Sequence, residues 1–268
     1  MDRKRRVLAM NNPGEELHEE IPFLLDCGVD AVELTAELPL SYVENIKAHW
    51  ELVRAHVGIG HTRDDLMLAS EVEEERISSI VMMNETLQLF KELGVTRVNV
   101  HPHRGSKGLS PEEVLRLNVS SLNEIAAYAD GLGIELMLEN QPPFPLVNQI
   151  AQVFEGINHP IFLLLDLAHA VCYGGDDEAV RFIETFGPRI KHIHVSDNRG
   201  STDDHLFPGY GVVNLAKYAE LIKKHVPADV SVSLESFRVE TPAGLEVVSA
   251  HQRKKYVSVA LGMLKELF

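Results

Sequence analysis

The chain has 268 residues, 45% hydrophobic and 24% charged, an ordinary balance for a globular protein that can bury a large core without cross-links. Forty acidic residues against 25 basic give a formal net charge of -15, which disfavours a nucleic-acid partner, since binding phosphate backbones needs clustered Lys and Arg. Cys27 and Cys172 form no CxxC pattern and read as reduced thiols, no apolar run reaches membrane-spanning length, and "MDRKRR" leads into a strand rather than a signal sequence. The expectation is a soluble, cytoplasmic protein with no membrane partner.

From the N-terminus, short β-branched runs alternate with amphipathic stretches. "VLAM" (7–10), "DAVELTA" (30–36) and "VGIGH" (57–61) are the first three expected strands. A helix follows in "EERISSIVMMNETLQLFKELG", where Ile77, Ile80, Val81, Leu87 and Phe90 recur at helical spacing and Gly94 suits the C-cap. "VTRVNVH" (95–101) is the fourth strand. "SPEEVLRLNVSSLNEIAAYADGLG" then opens with Ser110 as N-cap, Pro111 at the first helical position and Glu113 completing a capping box. "IELMLE" (134–139), "IFLLLD" (161–166), "IKHIHV" (190–195) and "VSVSLE" (230–235) supply the remaining strands, and a last helix is expected over roughly 242–267. Eight strands alternating with eight helices predict a (β/α)8 TIM barrel, one domain over residues 1–268. The alternative, an open doubly wound sheet, lacks a Gly-rich phosphate loop at its first helix.

Strand side chains alternate between faces, so each strand reads as two columns. Asn99 and His101 oppose Val98 and Val100, and Met137 and Glu139 oppose Leu136 and Leu138. His192 and His194 oppose Ile193 and Val195, and Ser231, Ser233 and Glu235 oppose Val232 and Leu234. The apolar column should face the helices and the mixed column the barrel interior. His101, Glu139, His194 and Glu235 then stand at strand tips on the C-terminal face, where a barrel builds its site. "FLLLDLAH" adds Asp166, with His169 three residues on. Buried carboxylates alone would repel one another, whereas a divalent cation satisfies both them and the imidazoles, so a metal site is expected.

Residues 191–205, "KHIHVSDNRGSTDDH", pack three histidines and three aspartates into one strand and its loop. His194 ends the strand, and Asp203 and His205 should return to the same rim. His192 reads as a hydrogen-bonded interior histidine, Asp197 as a capping or turn residue, and His103 as outside the first ring of ligands. His18, His49, His159, His225 and His251 fall on helices or turns, with the surface as default. On the third strand, alternation alone turns His56 inward; a bulge at the paired glycines 58 and 60 would reverse that parity and select His61.

"HTRDDLMLAS", "VNVHPHRG", "LMLENQP", "LLLDLAHA", "HIHVSDN", "DDHLFPGYG" and "VSLES", in this order at expected strand ends, carry a resemblance to the xylose isomerase-like TIM barrels. That superfamily holds sugar and sugar-phosphate isomerases and epimerases together with the endonuclease IV type of abasic-site nuclease, and the likeness covers nearly the whole chain. The resemblance favours His61 over His56. Its isomerase pattern implies one divalent metal (manganese, magnesium, cobalt or zinc) on Glu139, Asp166, His194 and Glu235, with His169 nearby and the two glutamates moving protons. Its nuclease pattern implies those four plus His61, His101, His169, Asp203 and His205 around three zinc ions. Tyr210 departs from the family, which often carries Glu in this turn.

Three readings follow. The first is a metal-dependent isomerase or epimerase of a small sugar, sugar phosphate or related polyol, acting through an enediolate, with Glu139, Glu235 and His169 at the chemistry. Lys191, Arg199, Arg104 and Arg238 are candidates for holding phosphate or hydroxyls, and Phe144, Phe207 and Tyr210 for lining a pocket. The second is an abasic-site nuclease; the loops "ELPLSY" and "TRDDLM" offer it Arg63 and Tyr42 but also Glu37, Asp64 and Asp65, with no basic cluster. The third is a metal barrel of another activity. A homo-oligomer is compatible with the sequence, and nothing in it specifies one.

Overall fold

The computed structural model of the chain describes residues 4–12, 15–36, 40–241 and 244–268. Strands Val7–Met10 (β1), Ala31–Ala36 (β2), Val57–Thr62 (β3), Arg97–Val100 (β4), Glu135–Glu139 (β5), Phe162–Asp166 (β6), Ile190–Val195 (β7) and Ser231–Leu234 (β8) pair in parallel in chain order. β8 closes on β1, with Leu8 opposite Ser233. The fold is a (β/α)8 barrel, as expected. Glu37 lies outside the described residues.

Helices Leu17–Cys27 (α1), Leu40–Ala48 (α2), Trp50–His56 (α3), Glu73–Glu92 (α4), Pro111–Leu132 (α5), Val147–Gly156 (α6), Leu167–Gly174 (α7), Asp176–Phe186 (α8), Leu215–His225 (α9) and Ala250–Leu267 (α10) form the outer layer. The described residues thus hold ten helices rather than eight. The connections after β2 and β6 each break in two: at His49, where φ -116° and ψ 29° leave the helix, and at Gly175, with φ 80°. None of these helices is long and apolar enough to cross a membrane.

The helix ends follow the local chemistry read from sequence. Ser110 Oγ accepts from Glu113 N at 3.2 Å while Ser110 N donates to the Glu113 carboxylate at 2.8 Å, closing the capping box on α5. The face of α4 differs from expectation. Ile80, Met83, Leu87 and Phe90 are buried, but Ile77 and Val81 are 48% and 50% exposed. At about 100° per residue, Ile77 and Val81 lie a third of a turn off the stripe set by the other four. The final helix also starts later than expected, at Ala250. Arg238–Thr241 (β9) and Gly244–Val247 (β10) intervene as an antiparallel hairpin, with Gly244 at φ 121°, a conformation that disfavours any side chain.

The barrel interior is layered. Leu8, Ala31, Ile59, Met137 and Leu164 form an apolar plug separate from the main core between strands and helices. At the N-terminal end, Arg97 and Lys191 each reach Glu135 at 2.8 Å. Lys191 therefore closes the barrel floor and is no candidate for holding substrate. On the C-terminal side of the plug the inward column turns polar.

The third strand owes its parity to one residue. Val32 pairs with Val57 but Glu33 with Ile59, so Gly58 is extra and bulges. Ile59 then joins the plug. A Cβ on Gly60 would come within 2.7 Å of the Phe90 ring on the helix side, and His61 faces inward. His56 ends α3, outside the barrel interior.

Candidate metal centre

The nine residues singled out from sequence converge on the C-terminal mouth. Seven of them line a cavity of about 350 Å3, and Asp166 and His194 lie fully buried behind it. Each arrives by a local rule. Glu139, Asp166 and His194 are inward positions at the ends of β5, β6 and β7, and His101 and Glu235 immediately follow β4 and β8. The spacing in "DLAH" comes from helix capping: Asp166 Oδ1 accepts from His169 N at 2.6 Å as the N-cap of α7. Its Oδ2 is left buried without a hydrogen-bond partner, and the first turn of α7 carries His169 to the rim.

Side-chain amides tie the splayed strand tips together. Asn11 Oδ1 accepts from Thr35 N at 2.8 Å, Asn99 Oδ1 from Thr62 N at 2.6 Å, and Asn140 Oδ1 from Asp166 N at 2.7 Å. The bond to Thr62 also orients Asn99, whose Nδ2 donates to Glu139 Oε2 at 3.3 Å and lies 3.0 Å from His101 Nε2. Asp197, read as a turn residue, accepts from the backbone N–H of Gly209, Gly211 and Val213 at 3.0, 2.9 and 2.9 Å. That carboxylate holds the loop presenting Asp203 and His205. His205 itself adopts a left-handed φ of 48°, a conformation that costs a non-glycine residue of order 1–3 kcal/mol and recurs at functional sites.

Close contacts at the mouth bring acceptors together. His194 Nδ1 lies 2.8 Å from Glu235 Oε2 and 4.0 Å from Glu139 Oε1. His169 Nδ1 lies 3.3 Å from Glu139 Oε1, and Asp203 stands 3.2 Å from His169 Nε2 and 3.3 Å from His205 Nε2. Yet His61 Nδ1, His169 Nδ1, His194 Nδ1, Asp166 Oδ2, Asp203 Oδ1 and Glu235 Oε2 are buried with no partner in hydrogen-bond geometry. Cis ligands on a cation with bonds near 2.1 Å sit about 3 Å apart, the separation seen between His194 and Glu235. These orphaned donor atoms, nitrogen and carboxylate oxygen together, fit a divalent metal.

Without a cation, protons must separate the acceptors. Burial opposes charge on His169, yet Asp166 and Asp203 hold it up at about 10. Burial likewise opposes charge on the half-buried His205, which Glu235 and Asp203 hold up at about 9. Burial would raise Glu139, but its hydrogen bond to His101 and the nearby imidazoles keep it well below the usual carboxylate range. For Asp166 burial wins and pushes it up to about 6. Burial and the adjacent His101 push His61 down to about 4, leaving a neutral ring ready to ligate.

The residue that sequence reading passed over is Glu33. It is fully buried, with carboxylate oxygens 2.8 Å from His194 Nε2 and 3.0 Å from His192 Nε2. The two-column reading of "AVELT" puts Glu33 in the inward column with Ala31 and Thr35, and that signal was available. His192 is the interior, hydrogen-bonded histidine expected, bonded also to Ser231 and Ser233. His103, away from the ligands, accepts from Ala69 N at 3.1 Å.

Other expectations change. Arg199 is tied to Asp204 at 3.0 Å, Arg238 reaches the Asp204 carbonyl at 3.5 Å, and Arg104 packs by Tyr173. None of the three lines the cavity. Phe144 faces a separate cavity beside Arg104, Phe207 is buried, and Tyr210 is exposed next to Tyr256. Phe237 does line the mouth, alongside Met10, Asn12, Asp64 and Gln141.

A closed (β/α)8 barrel whose C-terminal mouth gathers histidines and carboxylates defines an enzyme of the metal-binding TIM-barrel class. Within that class the chain belongs to the xylose isomerase-like TIM barrel family, whose family model matches residues 21–267. It is 28% identical over 254 residues to an uncharacterized protein of Methanocaldococcus jannaschii, spanning 88% of this chain and 84% of that one. A probable endonuclease 4 of Aquifex aeolicus is 30% identical over 198 residues, covering 66% of this chain and 67% of the relative. Among solved structures, a D-tagatose 3-epimerase-like protein superposes with a TM-score of 0.81 at 25% identity, covering 98% of this chain and 96% of the other.

Proposed function

We propose that the protein is a divalent-metal-dependent isomerase or epimerase of a small sugar, sugar phosphate or related polyol. One observation carries this reading: Glu139 and Glu235, from two different strands, both close on His194 Nδ1, at 4.0 and 2.8 Å. Two carboxylates meeting at one point can take a proton from a carbon and return one to it.

Glu139, Asp166, His194 and Glu235 would hold the ion, which supplies Lewis-acid polarisation of adjacent substrate oxygens. Glu139, whose charged form is favoured, would abstract the proton beside the carbonyl, and Glu235 would deliver one to the other face of that carbon. His169, bracketed by Glu139 and Asp203, would donate to a substrate oxygen. Asn12, Asp64 and Gln141 at the mouth suit hydroxyl groups, and Met10 and Phe237 the C–H face of a sugar. The cavity volume suits a small molecule. Likeness to the D-tagatose 3-epimerase-like protein over nearly the whole of both chains supports the reading.

A second reading, an abasic-site nuclease with three zinc ions, draws on a specific feature. His61, His101 and Glu139 form one group with ligand atoms within 4.8 Å of one another, and His169, Asp203 and His205 form another. The probable endonuclease 4 is the corresponding relative. Against it, Asp64 and Asp203 lend the mouth negative charge, and arginines of the adjoining loops are engaged, Arg63 with Asp65 and Arg199 with Asp204.

The deciding experiment combines a metal count with two assays on the same preparation. Ketoses and their phosphates are incubated with manganese-loaded protein in D2O and followed by proton NMR, and an abasic duplex is tested for incision. Deuterium entry at carbon with intact DNA is expected. Three zinc ions per chain, incision and no carbon exchange would replace this reading with the nuclease.

A further inference from the structure

Glu33 lies one layer beneath the mouth, at the centre of the barrel, with no exposed surface. Its Oε1 pairs with His194 Nε2 at 2.8 Å and its Oε2 with His192 Nε2 at 3.0 Å. His192 is anchored in turn, with Nδ1 2.8 Å from Ser231 Oγ and Nε2 3.0 Å from Ser233 Oγ. A carboxylate accepts hydrogen bonds and donates none, so the imidazole nitrogen facing it carries the proton. For His194 that choice has a direction: with the proton on Nε2, the lone pair is on Nδ1. Nδ1 is the nitrogen beside Glu235 and Glu139, and it has no hydrogen-bond partner.

We infer that Glu33 is a positioning residue for the metal centre, fixing the Nε2–H tautomer of His194 so that Nδ1 faces the cation, with His192 bracing the other carboxylate oxygen of Glu33. The inference rests on the mouth being a metal site. A neutral imidazole freed from Glu33 divides between two tautomers, only one of which presents a lone pair to Glu235. The carboxylate also raises the basicity of the nitrogen that ligates.

The test uses the full chain and Mn2+ alone as the probe, with binding measured by calorimetry. Glu33→Gln should weaken Mn2+ binding by about 10–100-fold, the range typical of losing a carboxylate behind a ligating histidine. Glu33→Asp keeps the charge at a shorter reach and should recover part of that loss, which a purely space-filling role does not predict. In zinc-loaded wild-type protein carrying 15N-histidine, His194 should show a protonated Nε2 and a metal-bound Nδ1. Wild-type affinity in Glu33→Gln, or zinc on Nε2 of His194, overturns the inference while leaving the metal site standing. A wild-type protein that takes up no Mn2+ overturns the metal-site reading and this inference with it.

Discussion

His194 Nδ1 and Glu235 Oε2 stand 2.8 Å apart across neighbouring strands, and neither has a partner in hydrogen-bond geometry. Backbone register sets the approach, since His194 lies beside Ser233 in the β7–β8 ladder. Glu235→Gln keeps the shape but places an amide where a negative oxygen stood. Divalent-ion binding should fall by at least about tenfold and turnover should cease. Competition against a fluorescent chelator measures the first and deuterium incorporation into a ketose the second, with circular dichroism as the folding control; unchanged affinity would remove Glu235 from the centre.

Glu139 is buried between His101, at 3.1 Å, and His169, at 3.3 Å. Glu139→Gln should abolish carbon–proton exchange with substrate while the protein still melts cooperatively. The measurement is deuterium incorporation into a turned-over ketose. Retained exchange in this variant takes the glutamate out of the proton-transfer role.

The mouth should be pH-sensitive in a definite direction. His169 and His205 rise from an ordinary 6.5 to about 10 and about 9, so the protons they hold stabilise the cation-free fold fully below pH 6.5. That contribution is lost as pH climbs through 9 to 10. A chelator-treated sample should therefore lose melting temperature between pH 6.5 and 10, and a Mn2+-loaded sample should lose less. Ion uptake should tighten with rising pH and expel protons. Calorimetry in buffers of different ionisation enthalpy counts those protons, and a count of zero contradicts the assignment.

Gly211 touches the loop latch. A Cβ there would lie 2.2 Å from the Asn198 carbonyl oxygen and 2.3 Å from Asp197 Oδ1. Gly211→Ala should cost about 1–3 kcal/mol through this overpacking. It should also speed proteolysis within residues 199–213, since Asp197 would lose its grip on the loop. Equilibrium urea unfolding and limited trypsinolysis report the two effects; wild-type behaviour in both would show that the loop is held by other contacts.

Much of this protein was legible in one dimension. Parallel strands buried on both faces are short apolar runs, so eight of them could be counted, and the period of two assigned His101, Glu139, His194 and Glu235 to the inward column. "DLAH" gave Asp166 and His169 together because capping is a local interaction. Where a decision depended on distant contacts, the string was silent or misleading. The inward turn of His61 follows from Gly58 bulging against β2, and the family likeness, rather than the alternation of residues, pointed to it. Ile77 and Val81 looked like core because a helix alone cannot say which of two apolar stripes meets the barrel. Lys191 looked like a substrate contact until its place on the barrel floor, beside Glu135, was known. Glu33 is the sharpest case. Its partners, His192 and His194, lie about 160 residues further along the chain, and barrel closure alone brings the three together. Local sequence determined which side chains the protein owns and which way each strand presents them, since capping and pleating are short-range. Tertiary structure decided which of them share a proton or an ion, because that depends on distances set by closure of the whole sheet.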